Sequence, residues 1–188
     1  MDFAGPLFGT MDLIMRESAL FAASGFLILG LGDLAVDLLW IAHRVRRLGR
    51  PPPALADLQP PARPGRLAVF LPAWDESAVI GDMLRAAVSA WAEGDWRLYV
   101  GTYPNDPATI AEAAAVASAD RRVRVVTGGE PGPTTKADCL NRLWAALLAD
   151  ERDEGVRAKA VVLHDAEDVV HPAEIALFDS LVERFDLV

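Results

Sequence analysis

Cysteine is almost absent. Cys139 is the only one, so the chain can close no disulfide on itself, and a reducing compartment suits it. It falls within a helical pattern, where it reads as a small buried hydrophobe rather than a nucleophile. Histidine is scarce too, with three in 188 residues. A metal phosphohydrolase built on His164-Asp165 would need further histidines, and only His43, beside a long apolar stretch, and His171, ahead of a helix start, remain. Positive charge is short in the larger part of the chain. Residues 1–66 hold seven Lys/Arg against six Asp/Glu, whereas residues 67–188 hold eleven against twenty-one, a net of −10. That excludes the electrostatic footprint of a nucleic-acid binder, so no nucleic-acid partner is expected. A small anionic substrate fits only if a metal or a local cation supplies positive charge. No internal repeat is visible, and the glycines follow neither a P-loop nor a dinucleotide fingerprint.

What is present begins with apolar length. After a mixed N-terminal segment (1–17), Ser18 to Gly32 is free of charge, and Asp33 and Asp37 then interrupt a run that continues to Ala42. A stretch of about 24 residues can cross a hydrocarbon core of ~30 Å, so a transmembrane helix is expected over 18–43. Each aspartate there costs about 2.5–3.5 kcal/mol at mid-bilayer. Their i, i+4 spacing puts both on one face, toward a partner helix or a polar cavity. A surface or core helix is the competing reading. Arg44, Arg46, Arg47 and Arg50 follow, which under the positive-inside rule places the downstream part in the cytoplasm, with one pass through the inner (cell) membrane. No positive n-region precedes the stretch, which argues against a secretory signal peptide. A basic and proline-rich linker (44–65) reads as a semi-rigid spacer.

From residue 66 to 188 apolar strands alternate with helical patterns. Strands are expected over 67–71, 97–101, 123–126 and 160–163, and helices over about 76–91, 107–119, 135–149 and 172–185. Such alternation means βαβ units: an α/β, Rossmann-like parallel sheet with helices on both faces. Ligands of open α/β sheets bind at the carboxyl ends of the strands. Each of the four strands ends in a polar cluster: Trp74-Asp75-Glu76, then Tyr103-Pro104-Asn105-Asp106, then Gly128 to Lys136, then His164-Asp165-Ala166-Glu167-Asp168. Any one could be ordinary helix capping. All four on one rim is the more specific signal.

The last cluster carries the most chemistry. If Asp165 and Glu167 continue the strand, they point to the same side and can offer two carboxylates to one divalent ion, magnesium or manganese, with room for a substrate phosphate. The plainer reading is an acidic loop that favours the positive end of the next helix. Glycines in the third loop let backbone approach a phosphate, and Lys136 opens a helix whose first amides favour an anion.

The order Pro72-Ala73-Trp74-Asp75-Glu76, Asp106, Lys136-Ala137-Asp138-Cys139-Leu140-Asn141 and Asp165-Ala166-Glu167-Asp168 resembles the inverting family 2 glycosyltransferases. Trp74, the run Gly101 to Asp106 and the phrase His164 to Pro172 are similar to their NfrB-like membrane branch, first noted in phage adsorption. The resemblance implies a GT-A domain over 66–188, incomplete and representing an N-terminal fragment, with a nucleotide-diphospho-sugar donor, namely a UDP-sugar. It implies that Asp75, Glu76, Asp106, Lys136, Asn141 and Asp165 bind substrate, with Asp75 and Asp106 on the uracil or ribose. Asp165 and Glu167 would stand as its Asp-x-Asp metal pair. It implies surface-polysaccharide synthesis, with polysaccharide-export or outer-membrane receptor partners. The family's general base is expected beyond Val188, so the chain as given should bind donor without turnover. Glu174, Asp179 and Glu183 read as a solvated helix face. A non-catalytic membrane scaffold of the same fold is the alternative.

Overall fold

The computed structural model describes residues 4–49 and 54–188. Met1 to Phe3 and Arg50 to Pro53, with the Pro51-Pro52-Pro53 start of the expected spacer, lie outside the described residues. The chain divides into two units, Met1–Pro52 and Pro53–Val188.

The first unit is one helix, α1 (Ala4–Arg46). Helix α1 takes in the described part of the segment expected over 1–17, because Met11 to Leu20 are mostly good helix formers and continue the helix without a break. Met11–Arg46 is long and apolar enough to be a candidate membrane span. Its large side chains, among them Phe21, Phe26, Leu39 and Trp40, are exposed. Asp33 and Asp37 stand one turn apart within it.

The second unit opens with a 3-10 turn, Leu55–Asp57. It continues as β1 (Arg66–Pro72), α2 (Ile80–Ala90), β2 (Trp96–Thr102), α3 (Pro107–Ala119), β3 (Val123–Thr127), α4 (Lys136–Glu154), β4 (Ala158–Leu163) and α5 (Glu174–Leu181). The four strands form one parallel sheet in the order β3-β2-β1-β4. The chain therefore steps outward from β1 to β3 and then returns to the other side of β1. That reversal leaves a crevice at the carboxyl ends of β1 and β4, where ligands of such sheets bind.

Central burial explains why β1 has no polar alternation: Leu67 to Leu71 are at most 3% exposed. Leu67, Val69 and Leu71 face α2, α3 and α5 through Ile80, Leu84, Ala113 and Ile175. Ala68 and Phe70 face α4 through Leu143 and Leu147. Both faces are thus covered. Helix α4 comes so close to the sheet that a Cβ on Gly101 would collide with the Cys139 sulfur. Cys139 is accordingly buried, and burial pushes its thiol up, away from the reactive thiolate. β4 is an edge strand and leaves Val161 and Leu163 exposed.

Three expectations need correction. The part of the spacer from Ala54 to Gly65 is docked on α5, not free. The amides of Ala62 and Arg63 donate to the two Glu183 oxygens at 2.9 and 2.8 Å, and Gln59 O accepts from Ser180 Oγ at 2.7 Å. Lys159 Nζ joins them, reaching Arg63 O at 2.8 Å and Glu183 Oε1 at 2.8 Å. Hence the acids of the last helix are not a solvated face: Asp179 and Glu183 hold this segment, and Glu174 lies 2.9 Å from His164 Nε2. Helix α2 also starts four residues later than the pattern predicts, because residues 75 and 76 are fixed by another element.

Candidate functional site

β1 ends at Pro72 and delivers Trp74, Asp75 and Glu76 to the crevice. Asp75 turns the chain with φ +59°, and its amide donates to Asp106 Oδ2 at 2.7 Å. The Glu76 amide donates to Thr109 Oγ1 at 3.0 Å. Asp106 is the N-cap of α3, with Oδ1 accepting the Thr109 amide at 3.2 Å. Burial alone would push its carboxyl up, but the bonds from Thr109 and the Asp75 amide prevail and hold it below the usual carboxylate range.

The loop after β3 is pinned across the end of β2. Asn105 and Gly132 exchange two hydrogen bonds, of 2.8 and 2.7 Å, and the Tyr103 hydroxyl meets Thr134 Oγ1 at 3.1 Å. Tyr103 stands edge-on to Trp74, with ring centroids 5.3 Å apart. Gly132 passes so near both rings that a Cβ would lie 2.5 Å from Tyr103. Lys136 follows as the first residue of α4, whose N-cap Thr135 accepts the Asp138 amide.

Beyond β4 the chain leaves the strand at Leu163, so Asp165 and Glu167 do not alternate as strand residues. They sit on a turn that Asp168 closes: its Oδ2 accepts the Asp165 amide at 2.9 Å and bonds His164 Nδ1 at 2.9 Å. Those bonds, the Asp165 amide first, hold the Asp168 carboxyl low. Ala166 is buried beneath the turn while Asp165 and Glu167 stay exposed. Asp165 pairs with Lys136.

Trp74, Glu76, Tyr103, Lys136 and Asp165 thereby line one cleft of about 220 Å³. Glu76 registers the crowding: burial first, then the charges of Glu167, Asp75, Asp106 and Asp165, push its carboxyl up. Four acids thus act on Glu76, and one of them, Asp165, is paired with Lys136 across the cleft; among the described residues no three of His, Cys, Asp or Glu stand close enough together to form a ready metal site. Of the expected residues, Glu76, Lys136 and Asp165 line this cleft, whereas Asp75, Asp106, Asn141 and Glu167 are not part of its lining. Thr109 is a functional candidate that sequence reasoning missed, its only signal being its place three residues after an Asp-Pro helix start.

A parallel sheet with acids gathered at the reversal of its strand order is a frame that glycosyltransferases use, and the chain belongs to the family described as glycosyltransferase like family 2, matched over residues 64–185. Two relatives are 36% identical over 194 residues: bacteriophage adsorption protein B of Escherichia coli (strain K12) and bacteriophage N4 adsorption protein B of Escherichia coli O157:H7. Each alignment takes in 100% of this chain and 26% of the relative, so the chain spans about a quarter of their length. Among solved structures, the mannosyltransferase PcManGT from Pyrobaculum calidifontis, in complex with GDP-Man and Mn2+, aligns with a TM-score of 0.56. The match covers 81% of this chain and 42% of that one at 18% identity, and shows the GT-A fold.

Proposed function

We propose that the chain is the donor-binding part of a membrane-anchored, metal-dependent inverting glycosyltransferase acting in surface-polysaccharide synthesis, with its second unit in the cytoplasm. The observation that carries this reading is the convergence of acids from the ends of β1 and β4 around Lys136. Asp165 and Glu167 would hold a magnesium or manganese ion, which would neutralise the diphosphate of the donor. Lys136 stands at the N-terminus of α4, so it and the first amides of that helix would face the same phosphates. Asp75 would accept hydrogen bonds from the base or ribose, with Trp74 and Tyr103 as the wall beside it. Asn141 is given no role. Sugar transfer also needs a base at the acceptor hydroxyl, and no described residue is assigned to it.

A UDP-sugar is the donor proposed from the family resemblance, and manganese with GDP-mannose in PcManGT supports a metal-bound nucleotide-sugar in general. Partners in polysaccharide export or at an outer-membrane receptor are proposed from the family resemblance; both relatives are phage-adsorption proteins. The test is titration of the full chain, in detergent, with uridine and guanosine diphosphate, each with and without manganese. Metal-dependent binding is expected, and Asp165→Asn should weaken it more than tenfold, about 1.4 kcal/mol or more. Equal binding by Asp165→Asn would leave these acids as a cap. Absence of metal-dependent binding in the wild type would favour a scaffold without catalysis.

A further inference from the structure

The Asp75–Glu76 pair that follows β1 beside the cleft is not held by β1. Asp75 lies in the left-handed region at φ +59°, uncommon for a residue with a side chain. Such a backbone persists where neighbours over-determine it. Here the neighbours are two side chains of the first turn of α3. Asp106 takes the Asp75 amide and Thr109 takes the Glu76 amide, at 2.7 and 3.0 Å, while Asp106 also takes the amide of Thr109. Consecutive amides of one loop thus meet two residues of one helical turn that are bonded to each other. Asp106 is 8% exposed and Thr109 is 0% exposed.

We infer that Asp106 and Thr109 are positioning residues, which fix the Asp75–Glu76 backbone so that the Glu76 carboxylate enters the donor cleft. Asp106 then acts through Asp75 rather than on the base or ribose. The inference rests on the transferase reading but makes a demand of its own: nucleotide affinity must depend on Thr109, which no ligand can touch.

The experiment compares Thr109→Val, Thr109→Ser and Ser118→Ala, an exposed site on the same helix, in the full chain. Two quantities are read: affinity for uridine diphosphate with manganese, and hydrogen exchange at the Asp75 and Glu76 amides without ligand. Thr109→Val should lose about tenfold in affinity and quicken both amides. Thr109→Ser, which keeps the hydroxyl, should stay within about twofold of wild type, as should Ser118→Ala. Wild-type affinity in Thr109→Val would overturn the inference, and so would an equal loss in Thr109→Ser. Should Thr109→Val not fold, Asp106→Asn is read in the same way, with quickened amides and weaker binding expected. If the wild type binds no nucleotide, the transferase reading fails first. Exchange then decides the clamp alone, and unchanged amides in Thr109→Val overturn it.

Discussion

Glu76 shows at the scale of one residue how negative charge crowds the cleft. Its carboxyl is pushed up by burial and by four neighbouring acids. A folded carboxyl that holds its proton more tightly than the unfolded one lowers stability once the pH exceeds its ordinary value of 4.5. Well below that value both states are protonated and the effect vanishes. Glu76→Gln should therefore raise Tm at pH 7 and leave it nearly unchanged at pH 3. Manganese should shrink the gain by supplying the missing positive charge. Thermal unfolding at the two pH values, with and without the ion, checks this; an equal gain at both would remove charge crowding as the cause. The identity of these acids was legible in the sequence, but their geometry was not. Asp165 and Glu167 lie on a turn closed by Asp168, not in strand alternation. Asp106 could be read as a cap from Pro107, yet its hold on Asp75 joins residues 31 apart and leaves no local trace.

Elements with local causes were the ones the sequence disclosed. Helix α3 occupies the stretch that its Asp-Pro start predicts, and each strand matches an apolar run. What failed was long-range. Ala54 to Gly65 has the composition of a spacer, and its docking depends on α5, about 120 residues away. Glu183 is central to that docking. The Lys159 bond and the amides of Arg63 and Ala62 hold its carboxyl down to about 2. A depressed carboxyl contributes stability above its ordinary value of 4.5 that is lost as the pH falls toward about 2. Glu183→Gln should leave the site intact but quicken exchange at the Ala62 and Arg63 amides at pH 7. The wild type should approach the variant as the pH is lowered through that window. Exchange rates that match in the two proteins at pH 7 would show that Asp179 and Ser180 suffice to hold the segment.

The distribution of charge governs the molecule as a whole. A helix long enough to span a bilayer carries Arg16 near its start and ends among Arg44, Arg46 and Arg47, with Arg50 following. Short-range Lys/Arg bias sets orientation, while acidic residues contribute little. The net of −10 beyond residue 66 therefore does not oppose the assignment. The arginine-rich end should stay in the cytoplasm, where nucleotide-sugars and divalent cations are at hand for the cleft. Asp33 and Asp37 weaken insertion, since each costs about 2.5–3.5 kcal/mol at mid-bilayer. The length of the apolar stretch offsets them. A reporter joined after Val188 should be active only in its cytoplasmic form. Replacing Arg44, Arg46 and Arg47 together by Ser should lower that signal and raise the opposite one. Activity of the wild-type fusion only outside the cytoplasm would reverse the orientation, and a fusion that fractionates away from membranes would show that α1 does not span.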